Sequence, residues 1–174
     1  MNIENEKILL RAIEFRDNDM LLAIINDTDT EYMLGGWSFP ISSLQQEEWL
    51  KNYKQTQNTL RCIIQDKKLN KALGMVTLTD IDSKNGNAEI HIKLAIGDEF
   101  RNKGYGSEAI NLMVNYAFNE LRLNLVYAKV NEYNISSQKM FLKCGFTNEG
   151  ILKHRIFKKG KYYDVISFSI INPN

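Results

Sequence analysis

Apolar positions follow two rhythms along this chain, and where the rhythm changes the architecture changes with it. Ile8-Leu9-Leu10-Arg11-Ala12-Ile13 is a short, nearly unbroken apolar run and predicts a first strand. Met20, Leu21, Ile24 and Ile25 recur at helical spacing, so a helix is expected over 18–26, capped by Asp17. Residues 27–38 read as a loop. Ser42 or Ser43 caps a second helix running through Trp49, Leu50 and Tyr53, and Ser43 with Gln46 has the spacing of a capping box. Strands follow over 60–64 and 73–78, the second β-branched and apolar, with a turn over 66–70 between them. Asn85-Gly86 signals a tight turn into a strand over 87–96. These strands make an antiparallel meander.

The second half is different. Ala109, Ile110, Met113, Val114, Ala117, Phe118 and Leu121 form one stripe of a helix over 104–120. Residues 125–130 read as a strand buried on both faces. Asn134 or Ser136 starts another helix, and Gly145 is its natural C-terminal stop. Strands over 146–152 and 162–170 close the chain, joined across Lys158-Lys159-Gly160-Lys161. A meander, a strand-helix-strand-helix unit and a hairpin give the α+β class, and residues 1–174 are expected to be a single domain.

Composition narrows the function without naming it. The formal net charge of +1 offers no basic stripe for nucleic acid and no patch for a membrane. Met1 to Glu6 is acidic and lacks the apolar core of a signal peptide, and no apolar run reaches the length of a membrane span. Cys62 and Cys144 form no motif and read as reduced and packed, in a cytoplasmic protein. The two histidines are far apart, so no metal is expected.

The chemistry is concentrated in Arg101-Asn102-Lys103-Gly104-Tyr105-Gly106-Ser107, between a strand and a strong helix. Backbone N–H groups at a helix N-terminus have no internal partners and carry the positive end of the helix dipole. Two glycines let that backbone come close to an anion, and Arg101 and Lys103 add charge. A pyrophosphate is the natural ligand. The plainer alternative is a helix that begins after a basic turn. The three-glycine dinucleotide fingerprint is missing, and so is the Gly-Lys-Ser/Thr ending of the nucleotide triphosphatase loop.

Arg-x-x-Gly-x-Gly resembles the acetyl-CoA loop of the GNAT acetyltransferase superfamily. More specific is Asn134-x-x-Ser-x-x-x-Phe-x-x-x-Gly-Phe-x-x-Glu-Gly, ending at Gly150. The resemblance covers almost the whole chain. The closing Lys159-Gly160-Lys161-Tyr162-Tyr163-Asp164 looks like the branch that acetylates ribosomal protein N-termini, polyamines such as spermidine, and amino sugars. It implies a mixed, mainly antiparallel twisted sheet of about seven strands flanked by about four helices. In such a fold a strand pair splays at the cofactor site.

By position, Leu94, Ala95 and Ile96 would pair with the pantetheine arm, and residues 101–107 would cradle the pyrophosphate. Asn134 matches an asparagine that bonds the arm, and it could also be a plain helix cap. The family's usual proline before the loop is replaced by Gly97-Asp98, which implies a looser entry. Phe141 stands where many relatives carry a proton-donating tyrosine, and it would pack against the pantetheine or the core. The proton for the thiolate would then come from Ser136, Ser137, Tyr133 or water.

The implied reaction is direct attack of an amine on the thioester. Glu89 and His91 share one face of a strand, Glu89 as the favoured base and His91 as the weaker candidate; the alternative is a pair on a solvated face. Trp37 and Phe39 lie in an aromatic loop that either approaches the acceptor or plugs the core. Asp27, Asp29 and Glu31 are acidic and could draw in a cationic amine or simply face solvent. Glu31 and Tyr163 are further candidate acceptor contacts. The resemblance thus implies acetyl-CoA as co-substrate, a small-molecule or peptide amine as acceptor, and a fold compatible with a homodimer. The competing readings are transfer of another acyl group and a non-catalytic CoA-binding or sensing protein, which the phenylalanine at 141 would favour.

Overall fold

The computed structural model describes residues 3–36, 39–95, 100 and 102–173. Its elements in chain order are β1 (Ile3–Glu4), β2 (Ile8–Arg11), a 3-10 turn (Phe15–Asp17), α1 (Asn18–Asn26), α2 (Thr28–Leu34), α3 (Ser43–Asn52), β3 (Leu60–Asp66), β4 (Lys71–Asp82) and β5 (Asn87–Leu94), then α4 (Tyr105–Asn119), β6 (Leu125–Asn131), α5 (Ile135–Lys143), β7 (Thr147–Lys158) and β8 (Lys161–Ile171).

All eight strands belong to one sheet, ordered β1-β2-β3-β4-β5-β6-β8-β7. Every neighbouring pair is antiparallel except β5–β6, which the α4 crossover makes parallel. The main core lies on the α4 face of the sheet. Ala109, Ile110, Met113, Val114 and Ala117 of α4 are buried there against Val76, Leu78, Ala88, Ile90 and Val126. Each large aliphatic side chain buried in this way contributes about 1.5–3 kcal/mol. The opposite face is covered more thinly, with Leu21 and Ile24 of α1 and Leu50 of α3 buried.

Three expectations need correction. Residues 27–38 are not all loop: α2 occupies Thr28–Leu34, with Asp27 Oδ2 accepting the Thr30 N–H at 2.7 Å and Gly35 closing it at φ 67°. Its caps were in the sequence, but it buries none of its residues, so no apolar stripe marks it. The capping box of α3 is Ser42 with Gln45, one residue earlier than Ser43 with Gln46. Asp17 precedes α1 without capping it. Its carboxylate instead takes both Arg11 guanidinium nitrogens, at 2.8 and 2.7 Å, and the Glu14 N–H. Among the described residues the count also rises to eight strands and five α-helices, the added strand being the two-residue β1.

Candidate active site

The site begins where two strands part. β5 and β6 pair only from Asn87 to Glu89, opposite Leu125 to Tyr127. Yet β5 continues to Leu94 and β6 to Asn131. On β5, Ala95 donates its N–H to Leu73 on the β4 side at 2.8 Å. Strand alternation therefore turns the backbone groups of Ile90, Ile92 and Leu94 toward the gap and those of Ala95 away from it. Of the expected Leu94-Ala95-Ile96 segment, Leu94 and not Ala95 is placed to offer a ladder edge to a ligand. Ile96 lies outside the described residues, as do Trp37, Ser38, Gly97, Asp98 and Arg101.

A cleft of about 800 Å³ opens from this gap. At one end stands the N-terminus of α4. Gly104 is its N-cap at φ 81°, a left-handed conformation in which any side chain is strained. It has no side chain to occupy the first turn, so the N–H groups of Tyr105, Gly106 and Ser107 stay open to a ligand. Gly106 is needed for a different reason: a methyl group there would stand 2.7 Å from the Met140 sulfur. The helix is held down by the buried Tyr105 hydroxyl, which donates to Asp66 Oδ2 at 2.6 Å. That bond pushes the Tyr105 pKa up to about 12 and lowers the Asp66 pKa. Lys7 from the β1–β2 turn donates to the Lys103 carbonyl and lies 4.3 Å over the Tyr105 ring.

One wall of the cleft is α5. It runs from Asn134, beside α2, to Lys143 beside the N-terminus of α4, where the Cys144 thiol donates to the Ser107 carbonyl at 3.8 Å. Asn134 is the N-cap of α5. Its Oδ1 accepts from the Ser137 N–H and the Ser136 hydroxyl, and its Nδ2 donates to the Met33 carbonyl of α2. At the far end the lining residues are Asp27, Asp29, Thr30, Met33 and Leu34, with Lys93 from β5. Burial, then Arg61, lowers the Lys93 pKa.

The cleft thus gathers Leu94, Asn102, Gly104, Tyr105, Gly106, Ser107 and Asn134 from the expected residues. Sequence reading missed Lys139, Met140 and Lys143. Their spacing of three, four and seven from Ser136 marks one face of α5, a signal that was available. Lys103 does not line the cleft. Phe141 belongs to the core: it is 3 % exposed, edge-on to Phe146 at 5.0 Å and stacked with Phe168.

Glu89 and His91 point to the other face of β5, at the apex of the gap, and neither lines the cleft. Glu89 is 7 % exposed and accepts from Lys129 Nζ at 2.9 Å. That bond raises the Lys129 pKa. His91 Nε2 lies 3.8 Å from Glu89 Oε1 and 3.0 Å from the Thr79 hydroxyl, and burial lowers its pKa. Glu31 is engaged by Lys158, Phe39 is exposed rather than plugging the core, and the Tyr163 ring meets Tyr133 edge-on at 4.9 Å.

A family model described as an acetyltransferase (GNAT) domain matches residues 7–147. The chain belongs to the GNAT acetyltransferases. This GNAT chain is an N-acetyltransferase that uses acetyl-CoA. It is 32 % identical over 167 residues to the SPbeta prophage-derived uncharacterized N-acetyltransferase YokL of Bacillus subtilis, covering 95 % of this chain and 90 % of that one. It is 30 % identical to a spermidine N(1)-acetyltransferase of Vibrio cholerae, covering 92 % and 91 %. The crystal structure of spermidine N-acetyltransferase from Vibrio cholerae, in complex with CoA and spermine, superposes with a TM-score of 0.86 over 96 % of both chains at 26 % identity. The residues present suit CoA: open N–H groups, two glycines and the ammonium groups of Lys139 and Lys143 for phosphates, and an unpaired strand edge for an amide-bearing arm.

No helix among the described residues is long and apolar enough to cross a membrane. The same residues hold no cluster of three or more His, Cys, Asp or Glu suited to a metal.

Proposed function

We propose that the acceptor is a small cationic primary amine that enters beside α2. The observation that carries this reading is the polarity of this cleft. Its α4 end presents open N–H groups with Lys139 and Lys143, and its α2 end presents Asp27 and Asp29 against the single ammonium of Lys93, whose pKa burial lowers. An anion is favoured at the first end and a cation at the second, so a nucleotide and an amine would meet at the gap between β5 and β6. The relative named for spermidine and the structure holding spermine support an amine of this class.

Acetyl-CoA supplies a thioester, whose carbonyl carbon the neutral amine attacks. The nitrogen becomes strongly acidic as its bond to carbon forms, so a carboxylate can take its proton, directly or through water. Glu89 is the proposed base, and the Lys129 ammonium orients it. His91 is the second candidate, since burial favours its neutral, proton-accepting form. Phe141 cannot donate a proton. Ser136 and Ser137 line the cleft where the leaving sulfur would emerge, and a thiolate is stable enough to depart without a strong acid.

The test is thiol release with a panel of polyamines, amino sugars and peptide N-termini. Turnover with polyamines at the lowest KM is expected. Preference for a neutral or anionic acceptor would overturn the reading.

A further inference from the structure

α2 forms the acceptor wall of the cleft, yet none of its residues is buried. It is therefore not fixed by a hydrophobic core, and something else must set its distance from β5. The contacts that do so come from two places. The first is the turn after β6. Asn131, 6 % exposed, donates from Nδ2 to the Met33 carbonyl at 3.0 Å, and the Tyr133 hydroxyl donates to the Tyr32 carbonyl at 2.8 Å. These are last-turn carbonyls, where helical partners run out; Tyr32 also accepts from the Gly35 N–H at 3.3 Å, and Met33 from Asn134 Nδ2 at 3.1 Å. Asn131 Nδ2 also lies 3.1 Å from the Tyr133 hydroxyl, so the two residues act on α2 together. Gly35, which ends α2, comes so close that a methyl group there would lie 2.7 Å from Asn131 Nδ2. The second place is the β7–β8 hairpin. Lys158 pairs with Glu31, and Lys159 lies 4.3 Å over the Tyr32 ring. Between them Tyr32, Tyr133 and Tyr163 form one aromatic column, stacked at 4.7 Å and edge-on at 4.9 Å.

We propose that Asn131 and Tyr133 are positioning residues for the acceptor: by holding the Met33 and Tyr32 carbonyls they set the width of the acceptor end of the cleft, and hence which amines fit. Glu31 then serves the wall rather than the amine. This rests on the reading of α2 as the acceptor side, and it goes beyond that reading by assigning selectivity to residues that touch no substrate. Cofactor binding should not depend on them, because the α4 N-terminus is anchored separately through Tyr105 and Asp66.

The experiment uses the full chain with Asn131→Asp, which turns a donor into an acceptor facing the Met33 carbonyl, and Tyr133→Phe, which keeps the ring and removes one bond. Three readouts are taken: amide hydrogen exchange, the acetyl-CoA melting shift and steady-state kinetics over the amine panel. Asn131→Asp is expected to speed exchange in α2 and not in α4. It should raise the acceptor KM about tenfold, equivalent to 1.4 kcal/mol, and flatten the preference among amines of different length. The acetyl-CoA shift should hold. Tyr133→Phe should do the same to a smaller degree. Unchanged α2 exchange, or faster exchange with an unchanged acceptor profile, overturns the positioning role while wild-type turnover leaves the function standing. A wild-type chain that acetylates no amine in the panel overturns both.

Discussion

The two ends of the cleft are built on different physical terms. The cofactor end is part of the core. Its helix buries Ala109, Ile110, Met113, Val114 and Ala117, and its first residue is bonded to Asp66 of β3. The α2 end, where we propose the acceptor binds, is attached from outside, by carbonyl caps, an ion pair and an aromatic column, with nothing of α2 buried. Buried apolar contacts are hard to change singly without loss of stability, whereas polar and aromatic surface contacts can be exchanged. A fold arranged this way keeps one co-substrate while leaving the other open to variation.

The comparison can be broken in several ways. Gly104→Glu puts bulk and negative charge where an anion should sit. It is expected to abolish the acetyl-CoA stabilisation, about 2.7 kcal/mol at a hundredfold excess over Kd, as read from melting. A retained shift would remove the phosphate role from this loop. Next, Glu89→Gln should cut turnover about a hundredfold at neutral pH with the melting shift intact. Full turnover would move the base elsewhere, with His91 the next to test.

Tyr105→Phe separates anchoring from binding. Loss of the Asp66 bond should cost about 2 kcal/mol in denaturant unfolding. It should also alter the acid limb. Asp66 has a lowered pKa in the folded state, chiefly through the Tyr105 bond, so its stabilisation is full above the ordinary aspartate value and is lost as pH falls through the folded one. The variant should therefore lose less stability between neutral and acid pH than the parent. An equally steep limb would show that Tyr105 does not hold Asp66 down. The smallest effect belongs to Asp29→Asn, a few-fold rise in KM for a cationic amine that fades with salt. A rise that ignores salt would not be electrostatic.

What the sequence disclosed follows the same division. α4 was legible because its core stripe is long and strictly periodic, and Gly104 and Gly106 mark its start. The sheet was legible from β-branched runs and from Asn85-Gly86. α2 was not, since a helix without a buried face leaves no periodic trace. Nor was the engagement of Glu89 by Lys129, because those residues lie 40 positions apart and meet only where two parallel strands begin to part. For Phe141 the family resemblance allows either the pantetheine or the core. Its rings at Phe146 and Phe168 decide for the core, a long-range contact that local pattern does not encode.

The parting of β5 and β6 also decides where the sheet keeps its free edge. A free strand edge normally invites pairing with another molecule, and sheets protect their outermost strands against it. Here the unmatched backbone groups of Ile92 and Leu94 lie between β5 and β6, inside the sheet and not on either of its border strands, and both residues line the cleft. A second sheet adding at a border strand would not meet them, whereas a slender ligand entering the cleft would.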